Sequence, residues 1–189
     1  MGLAAMGIMR TPHVRIAFLA VAAAACTPET TSFRSTDRID SSNPDVPAPA
    51  IYDLRDVARV RVWSTGGFIG SSEDPMTQIG IQVDNVGRRP IVFDGDSAAL
   101  AIFDDQGVAL AEPVLTSIVP LGPSQVTIAP GASVKLDLYF KLAVRPRRVA
   151  SMRARWTLIA GGERIVRSTN FVRDDEVVWP AATVSASRK

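Results

Sequence analysis

The chain is predicted to be all-β: an antiparallel two-sheet sandwich preceded by a signal peptide and a disordered tether. Three features of the sequence point there. Apolar residues recur with period two in short runs, helical spacing is scarce, and tight-turn residues punctuate the runs. Hydrophobic residues make up 47% and charged residues 21% of the 189, enough apolar material for one sizeable core.

Taken in order, strands are expected at residues 57–64, 78–85, 90–93, 98–104, 126–128, 134–140, 152–159 and 163–171. Ile79, Ile81 and Val83 fall on one face, as do Val134, Leu136, Leu138 and Phe140, and again Ala154, Trp156 and Leu158. Each strand therefore has one side to bury. Turns are expected at Asn85-Val86-Gly87, Asp94-Gly95-Asp96, Asp105-Gln106-Gly107 and Pro130-Gly131, with Gly161-Gly162 placed for a two-residue hairpin. The glycine-rich stretch 64–72 reads as a mobile loop displaying Phe68 and Ile69, and 112–125, with three prolines, as a second loop. Seven or eight short strands at this spacing suggest a sandwich, with a closed barrel as the alternative. The folded domain is expected over 51–180, with 181–189 as a flexible tail.

Residues 1–25 read as a secretory signal, with Arg10 and Arg15 before an apolar run, IAFLAVAAAA, that ends in small residues. The run is too short to span a bilayer, which takes about 20 residues. Met9 offers an alternative start, opening on MRTPHVR. Removing this segment takes two basic residues and no acid, leaving 19 basic against 19 acidic residues, so the net charge of +2 belongs to the leader. A neutral mature chain gives no reason to expect nucleic acid as a partner. Residues 27–50, TPETTSFRSTDRIDSSNPDVPAPA, are rich in Thr, Ser, Asp and Pro and are expected, with Cys26, to form a disordered linker.

Ala23-Ala24-Ala25-Cys26 resembles the lipobox of bacterial lipoprotein precursors. That resemblance implies cleavage between Ala25 and Cys26 and attachment of diacylglycerol to the Cys26 thiol. Ala23 stands where a large aliphatic residue is usual, and Ala23 with Ala25 also suits ordinary signal peptidase, which would cut at the same bond. Thr27, rather than aspartate, after the cysteine implies the outer membrane. Cys26 is the only cysteine, so it has no intramolecular partner in an oxidising compartment.

Further on, VDNVGRRPIVF (83–93), AIFDDQGVAL (101–110) and IAPGASVKLDLYF (128–140) resemble the turns and strands of immunoglobulin-like domains of bacterial lipoproteins. The resemblance implies an immunoglobulin-like fold and no catalytic residue.

The supply of reactive side chains limits the chemistry. The only histidine, His13, leaves with the signal, and the only cysteine sits at the mature terminus, so thiol–imidazole and Ser-His-Asp catalysis lack their parts. No enzyme activity, metal or cofactor is expected. The acidic clusters at Glu73-Asp74, Asp94 and Asp96, Asp104-Asp105 and Asp174-Asp175-Glu176 could supply oxygen ligands for calcium. Turn aspartates that bond their own backbone account for them more simply. One basic concentration stands out: Arg147 and Arg148, then Arg153 and Arg155 on the exposed face of the next strand, with Arg164 and Arg167 on its hairpin partner. These arginines could form a patch for an anion or a partner, although arginine is abundant throughout the chain. The expected whole is a lipid-anchored envelope protein whose sandwich binds another envelope protein. A carrier or sensor of a small ligand or calcium is the alternative, and a secreted, non-lipidated protein or an enzyme is the third reading.

Overall fold

The computed structural model describes residues 30–37, 49–119 and 124–174. The signal segment with Ala25 and Cys26, most of the linker, Asp175, Glu176 and the tail at 181–189 lie outside the described residues. The strands run in chain order as β1 (Phe33–Ser35), β2 (Ala50–Leu54), β3 (Ala58–Ile69), β4 (Pro75–Asn85), β5 (Ile91–Asp94), β6 (Ala99–Phe103), β7 (Val114–Val119), β8 (Gln125–Ile128), β9 (Ser133–Lys141), β10 (Ser151–Ala160) and β11 (Glu163–Arg173). One sheet has the order β2-β3-β4-β9-β7 and the other β1-β11-β10-β5-β8, with β6 also paired to β10. All pairings are antiparallel. The two sheets stay separate, so the chain is an antiparallel two-sheet sandwich and not a barrel.

The period-two reading explains the core. Ile79, Ile81 and Val83 of β4 and Leu136, Leu138 and Phe140 of β9 are buried. They meet Trp156 and Leu158 of β10 and Phe171 of β11 in one apolar cluster. Burying each such side chain contributes roughly 1.5–3 kcal/mol. The β10–β11 hairpin turns on Gly161 and Gly162, both at positive φ (59° and 85°), as a two-residue primed turn requires. Beside β10, a 3-10 turn (Gly95–Ser97) splits one long partner into two, so β5 pairs with residues 158–160 and β6 with residues 151–155.

Four segments depart from the sequence reading. The linker reading fails for its described part, because β1 pairs with β11, Phe33 is buried and Thr31 bridges Gly67 of β3. A short strand, β2, forms just before the first expected one. The glycine-rich stretch is strand to Ile69, with a register shift between Ser64 and Gly66, and Phe68 and Ile69 are half-buried. Its glycines serve close approach. A Cβ on Gly66 would lie 2.6 Å from the Thr31 carbonyl oxygen, and one on Gly67 would lie 2.6 Å from Pro146 Cβ. The expected loop at 112–125 contains β7.

Two polar networks hold the ends. Asn85 is buried at the end of β4, where its Nδ2 donates to the carbonyls of Arg89 and Ile128 (both 2.9 Å) and its Oδ1 accepts from Gly87 N–H (3.0 Å). It thereby ties the 86–90 turn to the 128–132 turn. On the side where the chain enters, Trp156 Nε1 donates to Thr169 Oγ1 (3.1 Å). The Tyr52 hydroxyl lies 2.9 Å from the same oxygen and donates to Asp37 Oδ2 (2.8 Å). The two rings meet edge to face at 5.2 Å. Burial pushes the Tyr52 phenol well above its ordinary pKa; the Thr169 hydroxyl opposes this and the Asp37 carboxylate adds to it.

Asn85→Ala removes three side-chain hydrogen bonds of a buried residue, so it should cost about 3 kcal/mol in urea unfolding with an unchanged m-value. A loss below about 0.5 kcal/mol would show that the two turns hold without it. For Tyr52 the folded state keeps its proton more tightly than the unfolded state. Its contribution is complete below the unfolded pKa of about 10 and declines as pH rises beyond it. Tyr52→Phe should therefore flatten the fall of the urea midpoint above pH 10, and an unchanged alkaline slope would contradict the assignment.

Candidate functional site

The arginines picked out by sequence do not form one cluster. Arg147 and Arg148 lie in a 3-10 turn (Pro146–Arg148) at one end of the sandwich, while Arg153 and Arg155 point outward from β10. Arg153 Nε donates to Asn170 Oδ1 (3.0 Å), and its guanidinium sits 5.9 Å from the Phe103 ring centroid. Arg155 is exposed between Ala99 and Ser168 of the neighbouring strands. Arg164 pairs at 2.9 Å with Asp94, whose side chain is only 5% exposed. Arg167 donates to the Val166 carbonyl next to it.

The acidic residues are used locally too. Asp104 Oδ1 accepts the N–H groups of Gln106 and Val108 (2.9 Å each), a turn aspartate bonding its own backbone. Asp105 pairs with Arg173 at 2.9 Å, and that guanidinium also donates to the carbonyls of Arg147 and Val149. Asp74 pairs with Lys141 at 2.8 Å, which together with the Ser72 hydroxyl holds its carboxyl below the usual range. A shallow groove of about 440 Å³ brings Arg147 and Arg148 together with Asp104 and Asp105, so charge there is balanced. Among the described residues no group of three or more His, Cys, Asp or Glu could hold a metal ion.

Sequence reasoning missed Arg88 and Arg89, which line a groove of about 610 Å³ with Asp56, Val57, Val86 and Ile91 at the Asn85 end. The stretch GRRP carried the signal but was read only as turn chemistry. Two guanidinium groups beside apolar walls suit a carboxylate with an apolar neighbour.

The outer face of the β2–β7 sheet is covered by its own side chains. Trp63, only 7% exposed, lies across Gly80, where a Cβ would fall 2.1 Å from ring Cε2. Lys135 Nζ stands 5.3 Å from the ring centroid. Asp137, opposite Gly80, keeps one buried oxygen, Oδ1, without a hydrogen-bond partner. In the next rows Asp84 accepts from Ser133 Oγ (2.6 Å) and Gln82 Nε2 (3.0 Å) and pairs with Arg61 (2.9 Å). Burial would raise the Asp84 pKa, but those hydrogen bonds and the charges of Arg61 and Arg59 outweigh it and hold it below the ordinary range.

The edges differ from the faces. On the entry side, β1 and the Thr31–Gly67 bridge lace the two sheets together, and β1 and β2 carry the charges of Arg34 and Asp53. On the far side the β2–β7 sheet ends at β7, whose sequence VLTSIV has no charge and no proline. Val114 is 64% and Val119 40% exposed there. Charges and prolines are the usual means of keeping an edge from pairing with another chain. Its neighbour β8, QVTI, is also uncharged but has only four residues.

Fold and edge together define an all-β sandwich in which β7 is the longest uncharged edge strand among the described residues. No protein-family model matches the chain, and no curated protein does. Its fold is similar to that of a FixG-related protein from Vibrio parahaemolyticus, at 12% identity over 64% of this chain and 99% of that one (TM-score 0.39). It is also similar to a protein from Archaeoglobus fulgidus, at 16% identity over 66% of this chain and 98% of that one (TM-score 0.35).

Because Asp84 is held below its ordinary pKa, its contribution to stability is present above about pH 4 and is lost as pH falls through the folded value. Asp84→Asn should therefore lose less of its urea midpoint than the parent between pH 5 and pH 3. Equal acid sensitivity in the two would show that the carboxylate contributes nothing.

Proposed function

We propose that the chain is a lipid-anchored cell-envelope protein, held in the outer membrane through Cys26, whose sandwich works as an assembly module for protein partners. The observation that carries the assembly part is the long, uncharged edge at β7, facing away from the side where the chain enters. Adding a strand to a sheet edge is a recurring mode of recognition, in which main-chain hydrogen bonds supply the attraction. The anchoring part is supported by the signal-like segment and by the likeness of residues 23–26 to a lipobox. A chain anchored at Cys26 and entering along β1 would turn β7 outward. Two or more acyl chains make such an anchor stable, since each buried methylene contributes roughly 0.8 kcal/mol.

Detergent partitioning with mass spectrometry tests the anchor. The mature chain should begin at Cys26, carry added acyl mass, and move to the aqueous phase as Cys26→Ala; a mature chain without acyl mass would overturn anchoring. Photo-crosslinking in cells from a reactive residue at Val119 tests the module. A discrete protein adduct is expected there and not from Arg155, and the absence of any adduct from Val119 would end the assembly reading.

A further inference from the structure

We infer that β7 is a self-pairing edge, through which two copies of the chain join antiparallel about a two-fold axis between Thr116 and Ser117. The inference rests on the assembly reading above and names the partner. The strand reads VLTSIV, and its reverse, VISTLV, has the same chemistry at every position. Pairing about that axis sets Val114 against Val119, Leu115 against Ile118 and Thr116 against Ser117 of the second copy. Each contact is between like groups: branched with branched, hydroxyl with hydroxyl.

The fold makes this register accessible. In a regular strand, residues five apart face opposite ways, while directly opposed residues in an antiparallel pair must face the same way. Val114 could not then oppose Val119. The register of β7 against β9 shifts between Leu115 and Ser117, inserting one extra residue. Val114 lies opposite Lys141 and Val119 opposite Asp137, both on the outer face, whereas Leu115 and Ile118 lie opposite Phe140 and Leu138 on the core side. The irregularity thus gives the strand a facing pattern that is symmetric on reversal, and the same register buries the exposed valines against each other. A six-residue edge is small beside the roughly 800 Å² per partner of a standard interface, so the pair should be weak in dilute solution and favoured where anchoring concentrates the chain.

The test uses two differently tagged full-length copies, one Val114→Cys and the other Val119→Cys, expressed together and oxidised in cells with copper phenanthroline. Opposed residues lie about 4.5–5.5 Å apart, within disulfide reach, whereas Val114 and its own symmetry mate would be about 17 Å apart. A mixed-tag disulfide joining positions 114 and 119, identified in the linked peptides and missing when either copy is expressed alone, supports the pairing. Replacing both residues in one chain, Val114→Lys with Val119→Lys, sets lysine against lysine at each end of the pair. It should lower co-purification of two tags at least tenfold with the thermal unfolding midpoint unchanged, since both side chains are exposed. No mixed-tag disulfide, or undiminished co-purification of the lysine variant, overturns the inference. A photoreactive residue at Val119 separates it from the broader reading. Capture of a different envelope protein and no second copy overturns self-pairing alone, and capture of nothing overturns both.

Discussion

The indole of Trp156 fills the space between the sheets on the side where the chain enters, and its N–H can be buried there because Thr169 Oγ1 accepts it. Much of that side follows from this requirement. Thr169 lies on β11, so the donor and acceptor sit on adjacent strands of one sheet, while Tyr52 reaches the same hydroxyl from the other sheet. An indole nitrogen only donates, which leaves the Thr169 proton for a second partner and the Tyr52 proton for a carboxylate. Asp37 supplies that carboxylate and also accepts the Asn170 N–H (2.9 Å). The ordering of residues 30–37 is thus the far end of a hydrogen-bond chain that begins in the core.

Arginine is distributed over this fold as surface dressing more than as a binding site. Arg61, Arg164 and Arg173 each take an aspartate, and Arg153 takes an asparagine and an aromatic ring. Asp94 is buried and needs its arginine, whereas pairs with solvent-exposed partners contribute about 0–1 kcal/mol each, so the main effect of the latter is to keep the faces hydrated and the charges matched. The edge at β7 is the longest strand without a charge among the described residues.

Strands with strict alternation were legible in the sequence, because each position states which face it belongs to. Residues 78–85, 134–140 and 152–159 fall within β4, β9 and β10, and the Gly161-Gly162 turn lies where expected. The motif at 83–93 was legible as a turn, but the burial of Asn85 as its hub was not, since that depends on the Ile128 carbonyl, 43 residues away. The missed strands share a different cause. In β7 the order apolar-apolar-hydroxyl-hydroxyl-apolar-apolar has neither period two nor period 3.6, because the extra residue resets the alternation midway. In β3 the same kind of shift, together with two glycines, made a strand look like a loop. β1 offers only Phe33 as a buried apolar side chain of any size, too little pattern to distinguish it from a linker. The site was less legible than the fold, because like-charged residues close in sequence were separated onto an end and a face.

The entry strand β1 has only three residues, and its consequence concerns open edges. A two-fold pair through β7 consumes that edge in both copies, so a third copy cannot join by the same contact. β1 covers only Phe171–Arg173 of β11, so peeling it away would lengthen the open edge of that strand by three residues, one of them the core residue Phe171. Short terminal strands are among the first parts of a fold to open. The hydrogen bonds at Asp37 therefore do more than tidy the N-terminus: they keep the core end of β11 from becoming part of the open edge beside it.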